Sequence, residues 1–123
     1  METKPDPKTG ITRIWKAFFY SLRGLRHAFA QEAAFRQESI LVAVLTLVLI
    51  FLPLSLPWKG MLFSVMALVL ITELLNSAIE AVVDLASPEF HKLAGQAKDM
   101  GSAAVFVSLA LTAFLWILAL FSL

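Results

Sequence analysis

The segment GMLFSVMALVLITELLNSAIEAVVD, from Gly60 to Asp84, decides the fold, because it is an apolar run long enough to span a membrane. Its second half nevertheless carries the polar side chains of Glu73, Asn76, Glu80 and Asp84. Charged groups at bilayer depth are costly, and where they occur they usually mark a functional site. The segment therefore predicts a membrane helix that has a function beyond anchoring the chain.

The composition of the whole chain is typical of a membrane protein. Hydrophobic residues make up 59% of the 123 residues, above the roughly 45–50% of a soluble domain, and charged residues make up only 15%. A chain of this length is limited to one domain, which we assign to residues 1–123. The sequence has no cysteine, which excludes disulfides, thiolate metal sites and a cysteine nucleophile.

Apolar runs on both sides of the opening segment, and an amphipathic segment before them, complete the predicted fold. The amphipathic segment places apolar residues three or four positions apart and carries basic residues on its other faces, which favours a helix in the lipid headgroup region. We predict an all-α membrane protein with an N-terminal amphipathic surface helix and three transmembrane helices. The predicted limits are a flexible tail at 1–9, the surface helix at 10–34, transmembrane helices at 35–56, 60–83 and 100–122, and a connection at 84–99.

The distribution of basic residues predicts the orientation in the membrane. Seven of the ten Lys and Arg residues precede residue 40. Lys59 lies in the first turn between spans, whereas Lys92 and Lys98 lie in the second connection. The positive-inside rule then places the N-terminus and the 84–99 connection in the cytoplasm.

The polar side chains of the opening segment form one stripe. At 100° per residue they fall within about 80° of each other around the helix. Such a stripe cannot face lipid cheaply, so we expect it to face protein or a water-filled cleft. Glu73 lies about 16 Å deeper in the bilayer than Asp84, which suits a general base or a proton carrier. Glu80 lies nearer to water, where a hard divalent cation can reach its oxygens.

A structural role is the alternative interpretation of this stripe. Polar side chains on membrane helices can also hold helices together through hydrogen bonds. For Asn76 alone, the structural and functional interpretations are equally favoured. For Glu73 together with Glu80 a functional role is favoured, because helix association does not require two carboxylates.

A second polar cluster lies in GQAKDMGSAAV, at residues 95–105. Lys98 and Asp99 come just before Gly101 and Ser102, where the last transmembrane run begins. A helix start there would offer free N–H groups to a phosphate, with Lys98 as an additional cation. The alternative is that Asp99 caps the helix and Lys98 is an ordinary cytoplasmic charge. A lone interfacial histidine such as His91 is more often a solvated or capping group than a ligand.

Three motifs resemble those of the small bacterial integral-membrane diacylglycerol kinases: EAAFRQE at 32–38, ELLNSAIEAVVD at 73–84 and AKDMGSAAV at 97–105. The resemblance implies transfer of the γ-phosphoryl group of MgATP to the hydroxyl of diacylglycerol, giving phosphatidic acid. It also implies a homotrimer in the bacterial inner membrane, with active sites shared between subunits and no nucleic-acid partner. The chain has neither a P-loop nor a protein-kinase catalytic loop.

The resemblance also implies roles for individual residues. It implies Glu73 as the catalytic base and Glu32 and Glu80 as ligands of Mg²⁺. The implied nucleotide-binding residues are Arg13, Tyr20, Glu32, Glu80, Glu89, His91, Lys98 and Asp99. The implied lipid-substrate residues are Arg13, Glu73, Asn76, Ser102 and Trp116.

Other functions stay open alongside diacylglycerol phosphorylation. Related small kinases phosphorylate undecaprenol, and the active-site motifs separate the two acceptors poorly. A proton or cation transport component could use Glu73, Asn76 and Glu80 as a relay, although AKDMGS would then have no particular role. A non-catalytic assembly subunit could use the stripe to hold helices together.

Overall fold

Helices account for nearly all of the computed structural model, which describes residues 2–3 and 10–123. The helices are α1 (Gly10–Gln31), α2 (Ala33–Phe51), α3 (Leu56–Ala86) and α4 (Lys92–Phe121). Three of them, α2, α3 and α4, are long and apolar enough to cross a membrane. The predicted all-α fold with a surface helix and three transmembrane helices is confirmed. Most of the predicted tail, residue 1 and residues 4–9, lies outside the described residues.

The central helix of the bundle is α3, which packs along α4 and against α2, while α1 packs against α2. The tightest part of the core is formed by Leu49, Leu62, Met66 and Ala119, from all three long helices. These residues belong to the end of α2, the start of α3 and the end of α4, so they lie away from the polar stripe. Apolar burial therefore stabilises one end of the bundle, and the other end is left for polar groups.

The joint between α1 and α2 is a single residue. Glu32 has extended dihedral angles (φ −107°, ψ 105°), and helical geometry resumes at Ala33. The guanidinium of Arg36 donates to the carbonyl oxygens of Phe29 (3.0 Å) and Ala30 (3.2 Å) at the end of α1. Terminal carbonyls of a helix otherwise lack partners, so Arg36 stabilises the corner from the second helix.

The turn between α2 and α3 follows from its prolines. Pro53 lies just after the end of α2, and Pro57 lies in the first turn of α3, where its missing N–H is not needed. Lys59 then reaches back, and its ammonium donates to the carbonyl oxygen of Ile50 at 2.9 Å. The first turn between spans is therefore short and closed by one basic side chain.

The connection between α3 and α4 is shorter than the sequence predicts, since it comprises only residues 87–91 rather than 84–99. Hydropathy detects where a helix leaves the apolar layer, but the helix itself continues into water. The N–H of Gly95 donates to the carbonyl oxygen of His91 (3.0 Å), so this glycine lies within the first turn of α4. The predicted helix start at Gly101 is wrong, and with it the expected free N–H groups for phosphate at that position.

The start of α4 is capped by His91 instead. Its Nδ1 accepts a hydrogen bond from the backbone N–H of Leu93 at 3.1 Å. His91 therefore does cap a helix in the structure, whereas the alternative of a cap by Asp99 is wrong, because Asp99 lies inside α4. With 31 residues, α3 is about 46 Å long, well beyond the roughly 30 Å of a hydrocarbon core.

Candidate active site

The polar stripe of α3 points into the bundle at its deep end. Glu73 is only 7% exposed, although it lies on a helix whose outer faces are apolar. The expectation that the stripe faces protein is confirmed for this residue. Towards the C-terminal end of α3 the stripe becomes more accessible, since the side chain of Asp84 is 65% exposed. The stripe therefore connects a buried carboxyl group to the water-facing end of the same helix.

The Glu73 carboxyl meets a second carboxyl group, that of Glu38 on α2. The two lie within hydrogen-bonding reach of each other. The Oε2 atom of Glu38 is buried and, among the residues that the structure describes, has no partner that donates a hydrogen bond to it. Two carboxyl groups in contact are suited to share a proton, which is a recurring arrangement at sites of acid–base chemistry.

Glu38 was not among the predicted site residues, although its position in the sequence carries a signal. Phe35 and Leu49 on α2 are buried, and Val42 and Leu45 pack against the core. Glu38 continues this series at spacings of three and four residues, so it lies on the packed face of the helix. A carboxyl group on the packed face of a helix is unusual, and this position marks Glu38 as a candidate site residue.

The middle of the stripe consists of Asn76 and Glu80, one turn apart. The amide Nδ2 of Asn76 donates to Oε1 of Glu80 at 3.3 Å. The amide oxygen Oδ1 is buried without a hydrogen-bond partner among the described residues. It points towards α4 at Gly101, which is buried and carries no side chain to block it. The Asn76 amide therefore orients the Glu80 carboxylate.

A polar crevice of about 330 Å³ lies where the end of α3, the α3–α4 connection and the start of α4 meet. Its lining includes four of the predicted nucleotide-binding residues, which are Glu89, His91, Lys98 and Asp99. Asp84 of the stripe lines the same crevice and forms an ion pair with Lys98 (2.5 Å between Oδ1 and Nζ). The structure thus brings the end of the stripe together with the connection and the start of α4.

A larger and more apolar cavity, about 510 Å³, lies between α1 and α3. Glu32, at the corner between α1 and α2, lines it opposite Ser77 and Ala81. These α3 residues flank Glu80 in the sequence, so Glu32 and Glu80 lie at the same level of the bundle. His27 of α1 also borders this cavity.

The remaining predicted site residues lie further apart. Arg13 and Tyr20 lie along the exposed α1, where Tyr20 is 52% exposed and the guanidinium of Arg23 lies 5.6 Å from its ring centroid. Ser102 is exposed on α4, next to the buried Gly101. Trp116 packs against the apolar core cluster at the far end of the bundle, and its indole N–H is buried without a partner among the described residues.

Within residues 2–3 and 10–123, no three His, Asp or Glu side chains gather closely enough to hold a metal ion by themselves. Glu32 and Glu80 are carboxylates of the kind that Mg²⁺ takes as ligands; Glu32 lines the cavity between α1 and α3, and Glu80 is held by Asn76 on the polar stripe. Such an ion usually needs only one or two protein carboxylates when phosphate oxygens complete its shell. The donor set therefore fits an ion that arrives with a phosphate-bearing substrate.

Comparison with known proteins identifies the family. The model of the family described as prokaryotic diacylglycerol kinase matches residues 19–120. The chain belongs to the prokaryotic diacylglycerol kinase family. The match covers the whole of α2 and α3 and nearly all of α4, and so the entire polar stripe and the polar crevice. Arg13 lies before the matched region.

Curated members of the prokaryotic diacylglycerol kinase family are similar to this chain over almost its full length. The diacylglycerol kinase of Escherichia coli (strain K12) is 47% identical over 114 residues, which are 93% of either chain. That of Pseudomonas aeruginosa is 49% identical over 91% of this chain and 94% of its own. That of Haemophilus influenzae is 43% identical over 88% of this chain and 92% of its own.

Proposed function

We propose that the protein is an ATP-dependent lipid kinase, which transfers the γ-phosphoryl group of MgATP to the hydroxyl of diacylglycerol and so produces phosphatidic acid. Its family, whose members include the diacylglycerol kinases described above, supports a lipid kinase. The observation that carries the proposal is the buried Glu73 carboxyl on a stripe that ends in a polar crevice. A lipid hydroxyl lies just below the headgroup plane and a nucleotide just above it, and this stripe joins the two levels.

The chemical step that we assign to the stripe begins at Glu73. Its carboxylate accepts the proton of the acceptor hydroxyl, while the hydroxyl oxygen attacks the γ-phosphorus of ATP. A new oxygen–phosphorus bond forms, the bond between the γ-phosphorus and the β–γ bridging oxygen breaks, and ADP leaves. Glu38 supports this role, because its carboxyl group lies where it can hold Glu73 in place and share the proton.

Glu80 and Glu32 are the residues that we assign to Mg²⁺, which enters with ATP and neutralises charge on the phosphates. Asn76 donates a hydrogen bond to Oε1 of Glu80 and so would orient this carboxylate where it holds the ion. Phosphoryl transfer depends mainly on positioning and on charge stabilisation. An orienting amide beside a metal ligand is therefore a fitting use of Asn76.

The nucleotide is assigned to the polar crevice at the end of α3 and the start of α4. Lys98 is paired there with Asp84, but its side chain is 42% exposed, so the pair is screened by water and contributes little to stability. Phosphate groups can therefore replace Asp84 as the partner of Lys98. The further nucleotide contacts that we propose are Glu89, His91 and Asp99 in the crevice and Arg13 and Tyr20 on α1.

The lipid acceptor is assigned to the apolar side of the stripe. Glu73 and Asn76 would meet its hydroxyl end, with Arg13 and Ser102 near its headgroup. Trp116 packs against the core cluster that contains Leu62 and Met66, which lie about 10–16 Å along α3 from Glu73. We therefore assign any lipid contact of Trp116 to an acyl chain.

We further propose a homotrimer in the bacterial inner membrane, with the N-terminus and the α3–α4 connection in the cytoplasm. The excess of basic residues before residue 40 supports this orientation. Many large apolar side chains on the outer faces of α2, α3 and α4 are exposed in the single chain, which leaves surface for both lipid and neighbouring subunits. Sites shared between subunits would bring further residues to the stripe.

The proposal is tested by phosphoryl transfer in mixed micelles. Purified protein would be given ATP labelled in the γ-phosphate, Mg²⁺, and either diacylglycerol or undecaprenol. We expect label in phosphatidic acid, and we expect Glu73→Gln to reduce kcat by a factor of about 10²–10⁴, the usual contribution of a general base. Oligomeric state by size exclusion would show that this variant still assembles.

Each other outcome of this experiment has a definite meaning. Label in the polyprenol alone would overturn the assigned acceptor and leave the chemistry intact. Near-normal turnover of Glu73→Gln would remove Glu73 from the role of base. A well-assembled protein that labels neither lipid would contradict the kinase and favour a transport role for the stripe, which charge movement in liposomes without ATP would then detect.

A further inference from the structure

Gly101 of α4 lies directly against Asn76 of the polar stripe on α3. This residue is buried, and a methyl group placed on its Cα would overlap the amide oxygen of Asn76. The same methyl group would lie 3.3 Å from Cγ of Asn76 and 3.7 Å from Cδ1 of Ile79. Two atoms of the Asn76 amide therefore occupy the space that any side chain at position 101 would need.

This contact is specific to Gly101. At the other described glycines, Gly10, Gly24, Gly60 and Gly95, an added methyl group would meet no heavy atom within 4 Å. Glycine is unfavourable in a helix interior by roughly 0.5–1 kcal/mol relative to alanine, so a helix that keeps one usually gains something from the missing side chain. At Gly101 the gain is room for the Asn76 amide.

The Asn76 amide in turn holds Glu80. Its Nδ2 donates to Oε1 of Glu80, and this bond requires the other end of the amide, Oδ1, to point towards α4. If Oδ1 were pushed away by a methyl group, the amide would rotate and the bond to Glu80 would lengthen or break. The contacts thus run from the backbone of Gly101 on α4, through the amide of Asn76, to the carboxylate of Glu80, the assigned metal ligand.

We infer that Gly101 is a positioning residue for the active site, which acts through Asn76 to hold the Glu80 carboxylate in its Mg²⁺-binding orientation. The inference rests on the proposed function for the identity of the ion at Glu80. Every other step of it rests on contacts within the chain, between Gly101, Asn76 and Glu80.

The test is a double-mutant cycle with Gly101→Ala and Asn76→Ala. We expect Gly101→Ala to raise the Mg²⁺ concentration for half-maximal activity by roughly fivefold, the factor expected for loss of one ordinary hydrogen bond. In the Asn76→Ala background the same change should have almost no further effect, because the amide that it displaces is gone. Gly60→Ala, on α3 and away from the site, is the matched control and should leave the Mg²⁺ response unchanged.

Thermal unfolding of the four proteins of the cycle gives a readout that does not depend on activity. The melting temperature should fall for Gly101→Ala, and most of that loss should disappear when Asn76 is also alanine. Should the wild-type protein prove inactive, this coupling still decides whether Gly101 acts through Asn76. Additive effects in the cycle, or an unchanged Mg²⁺ response of Gly101→Ala in an active protein, would overturn the inference.

Discussion

At the scale of single residues, the candidate site consists of polar side chains that are costly to bury unless another polar group bonds to them. Glu73, Asn76 and Glu80 could be found from the sequence because they interrupt an apolar run. Glu38 could not be found in the same way, since it lies in the polar stretch at the start of α2, where a charge is unremarkable. Only the packing of α2 on α3 shows that its carboxyl group meets that of Glu73.

We predict that Glu38→Gln lowers kcat by about tenfold or more and leaves the KM for MgATP nearly unchanged. The amide keeps the size of the side chain, but it cannot share a proton with Glu73, so part of the factor of about 10²–10⁴ that a general base supplies is lost. Steady-state kinetics in mixed micelles would measure both constants. Gln37→Ala changes the exposed neighbouring residue and serves as the control. Wild-type kcat in a correctly assembled Glu38→Gln variant would contradict the prediction.

At the scale of helices, α3 and α4 are joined by hydroxyl groups as well as by apolar contacts. The hydroxyls of Thr72 and Ser108 lie 3.0 Å apart, and Thr112 donates to the backbone carbonyl of Val65 at 3.2 Å. Ser108 is only 3% exposed. These bonds fix the rotation of α3 relative to α4, and so the direction in which the polar stripe points.

We predict a coupling of about 0.6 kcal/mol, and at most about 1.7 kcal/mol, between Thr72→Val and Ser108→Ala, the range found for hydrogen bonds between membrane helices. Unfolding free energies of the two single variants and the double variant, measured in detergent, would give this value. Ser64→Ala is the control, because that hydroxyl bonds only within its own helix, to the carbonyl of Gly60. Strictly additive losses would mean that the two hydroxyls do not stabilise each other.

The helices differ in which of their features could be predicted from the sequence. The number of helices and their membrane character follow from apolar length alone, and the comparison with the structure confirms them. The helix ends do not follow, since α3 continues through Asp84 to Ala86 and α4 begins at Lys92, both in polar sequence. The apolar run marks the membrane layer, whereas Pro88 and the His91 cap set where the helices stop and start.

At the scale of the whole molecule, three crossings place the two ends of α3 on opposite sides of the bilayer. The turn that contains Ser55 would then lie outside the cell, and the connection that contains Phe90 would lie in the cytoplasm. Phe90 is 94% exposed, and the chain has no cysteine of its own. These features allow the orientation to be tested by labelling of single introduced thiols.

We predict that a membrane-impermeant maleimide labels Ser55→Cys but not Phe90→Cys in intact spheroplasts. Inside-out vesicles should give the reverse pattern, and the cysteine-free parent protein should give no label in either. The physical reason is the excess of basic residues in the N-terminal third, which favours retention of that end in the cytoplasm. Labelling of Phe90→Cys alone in spheroplasts would invert the topology and place the proposed nucleotide crevice on the wrong side of the membrane.

The corner between α1 and α2 has a mechanical consequence. Because Glu32 alone departs from helical geometry there, any change in tilt of the surface helix against the first transmembrane helix is a rotation about the two backbone bonds of this residue. Those bonds also carry the carboxylate that we assign to the ion, so the same rotation swings it towards or away from α3. One residue is therefore both the hinge of the surface helix and a wall of the cavity between α1 and α3, so the angle between α1 and α2 sets where that wall stands.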